Sequence, residues 1–327
     1  MPITLEQAKV GMADHIDQQV IDEFRRASFL LDQLTFDNAV SPGTGGSTLT
    51  YGYTRLKTPS TAGFRALNTE YSANEADREN QFVTLKPFGG AFEIDRVIQD
   101  TSGQINEMEF QMRQKILGAA NLFHNTVVNG DSAVDANAFD GLDKALTGSN
   151  TEINTDSVVD LSTASALDSE KFTLLELVDD FLSELDGRPS MLMGNSKLIN
   201  KIKAVARRAG YLTSTEDAFG RTVNSYNDIP LIDMGYFYDG SNTSHVVKIE
   251  DRTVNSTART GLTDLYAVGL GMDGFHGVSP TGNGVIQTFL PDFNAPGAVK
   301  KGEVEMVAAV ALKATRKAGV LRNLKVQ

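Results

Sequence analysis

The longest regular pattern in the sequence covers residues 103–131, and it constrains the fold more than any other feature. Apolar side chains recur in it at steps of three and four residues, which is the spacing of one face of an α-helix. The stripe consists of Ile105, Met108, Met112, Ile116, Ala119, Phe123 and Val127. It predicts a long helix over residues 103–129. Phe110, Leu117 and Leu122 lie off the stripe, so we expect a second side of the helix to be covered as well.

Composition limits the class of protein to which the chain can belong. With 327 residues, of which 41% are hydrophobic and 22% charged, it can form one large or two ordinary folded domains. A net charge of −12 argues against a nucleic-acid coat that grips phosphates with its whole surface. Cysteine is absent, which excludes disulfides and thiolate metal sites. No signal peptide or membrane-length apolar run is found, so we expect a soluble cytoplasmic chain without membrane contact.

Two segments before the long helix have too little apolar surface to form a core of their own. Residues 1–35 predict an amphipathic helical arm, which could fold back on its own core or pack on a neighbouring subunit. Its stripe consists of Ile16, Val20, Phe24, Ala27, Leu31 and Leu34. A β excursion follows, with a strand at 49–56, a second extended run at 64–71, a polar tip at 72–80 and a return strand at 81–87. A protrusion of this kind either stays mobile or is held by another chain.

The second half of the chain alternates helices and strands. A helix around residues 172–185 precedes a buried strand at 191–193, and Asn195 or Ser196 is expected to cap a second helix with a basic outer side. Residues 210–228 are expected to form a long loop. Further strands are predicted at 229–232, 246–250, 265–268, 285–290 and 304–313.

Candidate chemistry is weak throughout. Residues 269–274 fit the glycine pattern of a dinucleotide site, but such a site needs a helix start, which Gly277 and Pro280 forbid. We expect a turn between strands there. Asp179 and Asp180 are adjacent and point apart on a helix, and we interpret both this pair and the cluster at residues 14–17 as solvated faces, not as acid–base or metal sites. We therefore predict no catalytic, cofactor-binding or metal-binding residues, and no enzyme.

The end of the chain differs in charge from the rest. Between residues 300 and 327 there are only two acidic residues, Glu303 and Glu305, against seven basic ones, namely Lys300, Lys301, Lys313, Arg316, Lys317, Arg322 and Lys325. In an acidic chain this asymmetry predicts complementary patches that meet between copies of the protein. Contact with packaged nucleic acid is the weaker alternative.

Several short phrases in a fixed order carry a family resemblance. They are Phe92 to Asp100 before the long helix, Asn129-Gly130-Asp131 at its end, Ala138 to Leu142 after it, Met191 to Asn195 before a helix, and Asp228 to Ile232 after a loop. Together with the arm and the β excursion, this order resembles the major capsid proteins of tailed bacteriophages. That family has the α+β Hong Kong 97-type (Johnson) fold, which encapsulins share.

The resemblance implies a division of the chain into named parts. They are an N-terminal arm (1–40), an extended loop (41–91), a peripheral domain (92–146) with its spine helix at 103–129, an axial domain (147–245), and a return to closing peripheral strands (246–327). It also implies self-assembly as hexamers and pentamers into an icosahedral head, made in the host bacterial cytoplasm. That head would enclose double-stranded DNA without sequence-specific binding. A separate scaffolding protein, a portal and a decoration protein are the further partners expected.

Position and charge nominate three residues on the excursion for contacts between subunits, namely Lys57, Arg65 and Arg78. Two other functions remain open at this stage. An encapsulin shell would share the fold and hold cargo enzymes, and it differs in its gene neighbourhood. A soluble α/β nucleotide-binding enzyme would have to use the turn at residues 269–274.

Overall fold

The computed structural model describes residues 30, 33–40, 49–101, 107–209, 213–216, 222–280 and 286–327. Its helices are α1 (Arg96–Thr101), α2 (Glu107–Asn129), α3 (Leu142–Leu146), α4 (Ala164–Ser183) and α5 (Ser196–Ala209), with a 3₁₀ turn at Thr315–Lys317. The strands of the first half are β1 (Phe36–Val40), β2 (Thr50–Thr58), β3 (Asp77–Thr84), β4 (Lys86–Asp95) and β5 (Glu152–Asp160). Those of the middle are β6 (Met191–Gly194), β7 (Thr213–Glu216), β8 (Thr222–Tyr226), β9 (Ile229–Asp233), β10 (Tyr236–Tyr238) and β11 (Thr243–His245). The last are β12 (Glu250–Val254), β13 (Thr257–Val268), β14 (Phe275–Pro280), β15 (Ile286–Phe289), β16 (Val299–Leu312) and β17 (Ala318–Lys325).

Helix α2 confirms the long helix predicted from the apolar stripe. Its 23 residues correspond to a length of about 35 Å. Met112, Ile116, Phe123 and Val127 are all buried, and they pack against strands β4 and β16. The part of the prediction between residues 103 and 106 lies outside the described residues.

The first sheet lies against α2, and strand β16 organises it. Over its first ten residues β16 pairs antiparallel with the whole of β4, from Val299 opposite Asp95 to Ala308 opposite Lys86. Its other edge pairs with β15 and then with β14, which in turn pairs with β1. Residues 308–312 are buried on both faces, as the apolar run in the sequence predicts.

The second sheet has eight strands in the order β5-β17-β13-β6-β9-β8-β7, with β12 paired to β13. Helices α4 and α5 enclose a separate core with this sheet, in which Phe181, Leu198 and Leu265 are fully buried. The predicted cap of α5 is confirmed, because the Asn195 side chain accepts a hydrogen bond of 2.8 Å from the backbone N–H of Leu198.

Strand β17 was not predicted, although it lies inside the second sheet. It runs parallel to β5 on one side and antiparallel to β13 on the other. Ion pairs within the chain accommodate the charges of Arg322 and Lys325 on this strand. Residues 147–169, a segment rich in Ser, Thr, Asn and Asp, contain the nine-residue strand β5 and the start of α4.

Three of the predicted segments are wrong. Residues 64–71 form a loop with a turn in which Thr69 N–H donates to the carbonyl of Ala66, instead of an extended run. Residues 246–249 bend instead of forming a strand, and only Glu250 belongs to one, as the first residue of β12. The side chains of Asn129 and Asn195 donate to the carbonyls of Val246 and Val247.

Third, the predicted loop 210–228 contains the paired strands β7 and β8. The N-terminal arm lies almost wholly outside the described residues. Of its stripe, only Leu34 is described, and it is buried.

Substitution by alanine should change the stability in opposite directions at Gly118, within α2, and at Gly130, directly after it. A Cβ at Gly118 would meet nothing within 4 Å, so Gly118→Ala should stabilise the helix by about 0.5–1 kcal/mol. A Cβ at Gly130 would lie 2.2 Å from the carbonyl oxygen of Phe139, so Gly130→Ala should destabilise by on the order of 2–3 kcal/mol. Urea unfolding of the purified protein measures both changes, and equal effects of the two substitutions would contradict this packing.

Candidate assembly surfaces

The described residues contain no convergent chemical site. No group of three His, Asp or Glu residues among them could hold a metal ion, and no helix in this part of the chain is long and apolar enough to cross a membrane. The predicted turn at residues 269–274 is confirmed. Gly274 N–H donates to Gly271, and the chain enters strand β14 instead of a helix. The nucleotide-binding alternative therefore loses the helix N-terminus that it required.

The most exposed feature is the hairpin of β2 and β3. Its strands pair from Thr50 opposite Thr84 to Thr58 opposite Asp77. Every residue from 56 to 78 is exposed. The hairpin thus projects from the body with no core of its own, as the sequence predicted.

The base of the hairpin is held by the end of strand β16. The Tyr53 hydroxyl donates to the carbonyl of Leu312 at 2.9 Å. The Arg55 guanidinium donates to the carbonyls of Leu312 and Lys313 at 2.7 and 3.0 Å. The Tyr51 hydroxyl also donates to Asp37 on β1 at 2.8 Å.

Burial is the main reason that the pKa values of Tyr51 and Tyr53 are raised. Both hydroxyls therefore keep the protons that they donate at the base of the hairpin.

The loop at the tip, residues 59–76, is organised by its own side chains. Thr61 and Asn74 are hydrogen-bonded across it. Arg65 donates to the carbonyls of Ala66 and Thr69, and its guanidinium lies 5.2 Å from the centre of the Tyr71 ring. These contacts turn Arg65 towards the loop.

Phe64 and Leu67 of the same loop are almost completely exposed. Sequence reasoning did not nominate these two side chains for contacts. The signal was present, because they are large apolar residues in a segment that cannot bury them.

The three basic residues nominated for subunit contacts lie in different settings. Lys57 faces Asp77 across the hairpin, with 3.7 Å between the charged atoms. Arg65 is engaged within the loop, and Arg78 lies exposed opposite Leu56 in the ladder. The structure therefore does not bring the three together, and their role between subunits stays a prediction.

The second side of helix α2 is open in the isolated chain, contrary to expectation. Phe110, Leu117 and Leu122 are 40%, 37% and 38% exposed. Phe110 and Leu117 are seven residues apart and share one flank, whereas Leu122 lies on another. The remaining apolar stripe fills the core, so these three side chains are free to contact something else.

A cluster of charges, most of them buried, joins helix α3 to the second sheet. Arg322 on β17 contacts Asp143 on α3 at 2.9 Å, Asp264 on β13 at 3.2 Å, and Glu152 on β5. The hydroxyl of Tyr266 donates to Asp143 at 2.8 Å. Burial would lower the pKa of Arg322, but Asp143 and Asp264 outweigh it and raise that pKa, so the guanidinium stays charged.

The cluster extends to Arg252, whose two terminal nitrogens donate to the two oxygens of Asp264 at 2.6 and 2.8 Å. This bidentate geometry is the strong form of an arginine–carboxylate contact. Burial and the nearby carboxylate of Asp143 raise the pKa of the Tyr266 hydroxyl, so Tyr266 remains a hydrogen-bond donor. The cluster thereby connects strands β5, β12, β13 and β17 with helix α3.

The expected basic patch at the end of the chain is therefore largely wrong. Besides Arg322, Lys317 pairs with Asp186 and Lys325 with Asp160, at 3.4 and 3.0 Å. Lys300 is buried and donates to a backbone carbonyl. The net charge of the segment is positive, but most of its cations are engaged within the chain.

This arrangement is similar to that of solved shell proteins. The chain matches the holo-SrpI encapsulin complex of Synechococcus elongatus PCC 7942 with a TM-score of 0.63 and 13% identity, over 97% of this chain and 94% of that chain. It matches the capsid of a native GTA particle with a TM-score of 0.59 and 11% identity, over 99% and 95%. The capsid of Myoviridae phage XM1 gives 0.53 and 10%, over 99% and 97%.

The chain has the Hong Kong 97-type fold. The α+β class and the resemblance noted in the sequence are thereby confirmed at the level of fold. No protein-family model matches the sequence, and a search of curated proteins gives no significant match. At identities of 10–13% the similarity to these capsid-type structures establishes fold alone.

The buried charges of this Hong Kong 97-type chain should be sensitive to loss of their central cation. Arg322→Met would leave Glu152 without its partner and would remove the cation from Asp143, whereas Asp264 would keep Arg252, so it should destabilise the fold by about 3 kcal/mol. Lys301→Met removes an exposed pair with Glu303 and should change little. Urea unfolding of the two variants distinguishes these effects, and similar losses of stability would show that the cluster contributes no more than an exposed ion pair.

His276 should make the folded chain sensitive to acid. It is buried on β14 beside Tyr51, and its Nε2 atom has no hydrogen-bond partner among the described residues. Burial lowers the pKa of His276 with help from Lys313, and the contact with the Gly274 carbonyl and the charge of Asp37 oppose this only in part. The unfolded chain therefore takes up the proton first, and stability should fall as pH drops below about 6.5.

The measurement is the free energy of unfolding between pH 7.5 and 5. His276→Phe removes one of the groups that take up a proton on unfolding, so it should make the free energy of unfolding depend less steeply on pH than in the unsubstituted chain. Some dependence should remain, because burial also lowers the pKa values of His124 and His245, which both proteins contain. An unchanged slope would contradict the role of His276.

Proposed function

We propose that this chain is the major capsid protein of a tailed bacteriophage, a shell subunit that forms hexamers and pentamers in an icosahedral head. The observation that supports this most is the hairpin. A chain with the Hong Kong 97-type fold places residues 56–78 in solvent and fixes only their base. Such an element contributes almost nothing to its own subunit. It makes sense if it lies across a neighbouring copy.

The parts of the chain then take the roles that the resemblance suggested. The arm would be residues 1–40, the extended loop 41–91, the peripheral domain 92–146, the axial domain 147–245 and the closing return 246–327. Strand β4 runs unbroken through the boundary at residue 91, so the extended loop would merge into the peripheral sheet without a hinge in that strand.

The proposed subunit is a structural protein and not an enzyme. Its partners would be further copies of itself, a separate scaffolding protein, a portal and a decoration protein. It would be assembled in the host cytoplasm and reside in the virion. The net charge of −12 suits a shell that encloses double-stranded DNA without gripping it at every phosphate.

An encapsulin shell is the second candidate. It is favoured by the match to the encapsulin of Synechococcus elongatus, whose TM-score of 0.63 exceeds the 0.53 of the phage XM1 capsid. The contents of particles purified from the native source discriminate between the two. Packaged double-stranded DNA supports the phage head, and a protein cargo supports the encapsulin.

The experiment that tests a shell function is negative-stain electron microscopy with size-exclusion chromatography. The protein is expressed alone and together with any neighbouring scaffold gene. Closed shells, or rings of five and six subunits, are expected. A stable monomer or dimer in every condition would overturn the proposal.

The hairpin tip should be needed for closure but not for folding. Thr58 and Asp77 face each other, so residues 59–76 can be replaced by an Asn-Gly turn without disturbing the ladder. We expect a soluble subunit with unchanged thermal unfolding that no longer forms closed shells. Glu70→Gln with Glu75→Gln is the matched control, since it keeps the loop and its apolar residues and should still assemble. Normal shells without the loop would remove the hairpin from the assembly.

A further inference from the structure

A groove runs between helix α2 and the segment that joins β9 to β10. Its volume is about 480 Å³. We call it the arm groove, and its lining includes Leu30, Leu117, Asn121, His124, Met234 and Tyr236. Leu117 is 37% and Tyr236 is 56% exposed, so apolar surface is open along its rim.

Hydrogen bonds between its two walls hold the groove in shape. The His124 Nε2 atom lies 2.9 Å from the carbonyl oxygen of Met234. With its amide oriented to satisfy both partners, Asn121 donates to the carbonyl of Tyr236 and accepts from the N–H of Tyr238. A groove with fixed walls pays little ordering entropy when something binds to it.

One residue already occupies the end of the groove. Leu30 lines it and is completely buried, and the backbone N–H of Leu34 donates to the Leu30 carbonyl at 2.9 Å, as in a helical turn. Leu30 thus anchors the described start of the chain in the groove. Twenty-nine residues precede Leu30 in the sequence.

The sequence before Leu30 has a side that suits the open rim. Val20, Phe24 and Ala27 continue the steps of three and four residues that lead to Leu30 and Leu34. In a helix they lie on the side that Leu30 and Leu34 bury. Residues 16–29 would extend about 21 Å as a helix, enough to run along the rim.

We propose that the arm groove is the docking site of residues 16–29 of the same chain, with Val20, Phe24 and Ala27 against Leu117 and Tyr236. The same chain is the occupant because Leu30 is already seated and no linker separates it from the docking segment. Docking would cover the flank of α2 that the isolated body exposes. The proposal does not depend on shell formation, because it concerns contacts within one subunit.

Disulfide trapping tests the proposal directly, because the chain has no cysteine of its own. Ala27→Cys is combined with Leu117→Cys or Tyr236→Cys in the full-length protein, as dilute dissociated subunits under mild oxidation. Ala27→Cys with Leu122→Cys is the matched control. Leu122 is equally exposed at 38% and lies on the same helix, five residues or about 140° from Leu117.

The expected result is an intramolecular disulfide at least tenfold more abundant in a groove pair than in the control, seen as a faster band on a non-reducing gel. Disulfide-linked dimers in place of that band would place the arm in a neighbour's groove and overturn the proposal. Equal trapping, or none in either groove pair, would overturn it as well. Thermal unfolding of the reduced variants verifies that they are folded.

Limited proteolysis supplies a second readout that needs no cysteines. Trypsin can cut after Arg25 and Arg26 within the docking segment. Leu117→Glu should raise the cleavage rate there at least tenfold, while Leu122→Glu should leave it unchanged. Cleavage of the unsubstituted chain as fast as an unstructured peptide would show that the segment is not docked.

Discussion

The packing of one phenylalanine ring holds the body of this molecule together. Phe123, near the C-terminal end of the long helix, is fully buried, and its ring lies 5.7 Å from that of Phe88 and 5.6 Å from that of Phe139. Phe36 on β1 approaches it at 6.2 Å. The helix, two strands and the segment that follows the helix thus meet at a single side chain. The first sheet is positioned by this contact.

The two cores of the chain are joined by charges and hydrogen bonds as well as by apolar packing. Arg322 connects helix α3, which directly follows the long helix, with three strands of the second sheet. Buried ion pairs add little net stability, but their directional bonds accept only one arrangement. We therefore attribute to this cluster the fixed orientation of the second sheet relative to helix α3. The last strand is inserted between β5 and β13, which makes the end of the chain part of that arrangement.

Local periodicity revealed the elements whose pattern is set by one buried face. The long helix, the hairpin strands, the buried strand at Met191 and the cap at Asn195 were all recognisable in the sequence. Strand β17 was not, because a cation such as Arg322 suggests solvent when its partners are distant in sequence. The two valines at 246 and 247 led to a strand prediction that was wrong. Their carbonyls accept hydrogen bonds from the side-chain amides of Asn129 and Asn195 instead of from a neighbouring strand.

The assembly surfaces were less predictable than the fold. Charge nominated Lys57 and Arg65, yet both are engaged within the hairpin. Exposure can be judged only when it is known which apolar residues the rest of the chain buries. That is why Phe64, Leu67 and the open flank of the long helix emerged from the structure.

The way in which the hairpin is mounted has a geometric consequence. Tyr53 and Arg55 donate hydrogen bonds to the main-chain oxygens of Leu312 and Lys313. The backbone at the end of β16 therefore sets the direction of the hairpin. Strand β2 continues for three residues beyond Arg55, which is about 10 Å. A rotation of about 10° at Arg55 would therefore displace Thr58 by about 2 Å and the tip loop beyond it by more. Changes of one side chain in β16 would leave this angle intact, whereas a small twist of its backbone would be magnified many residues away.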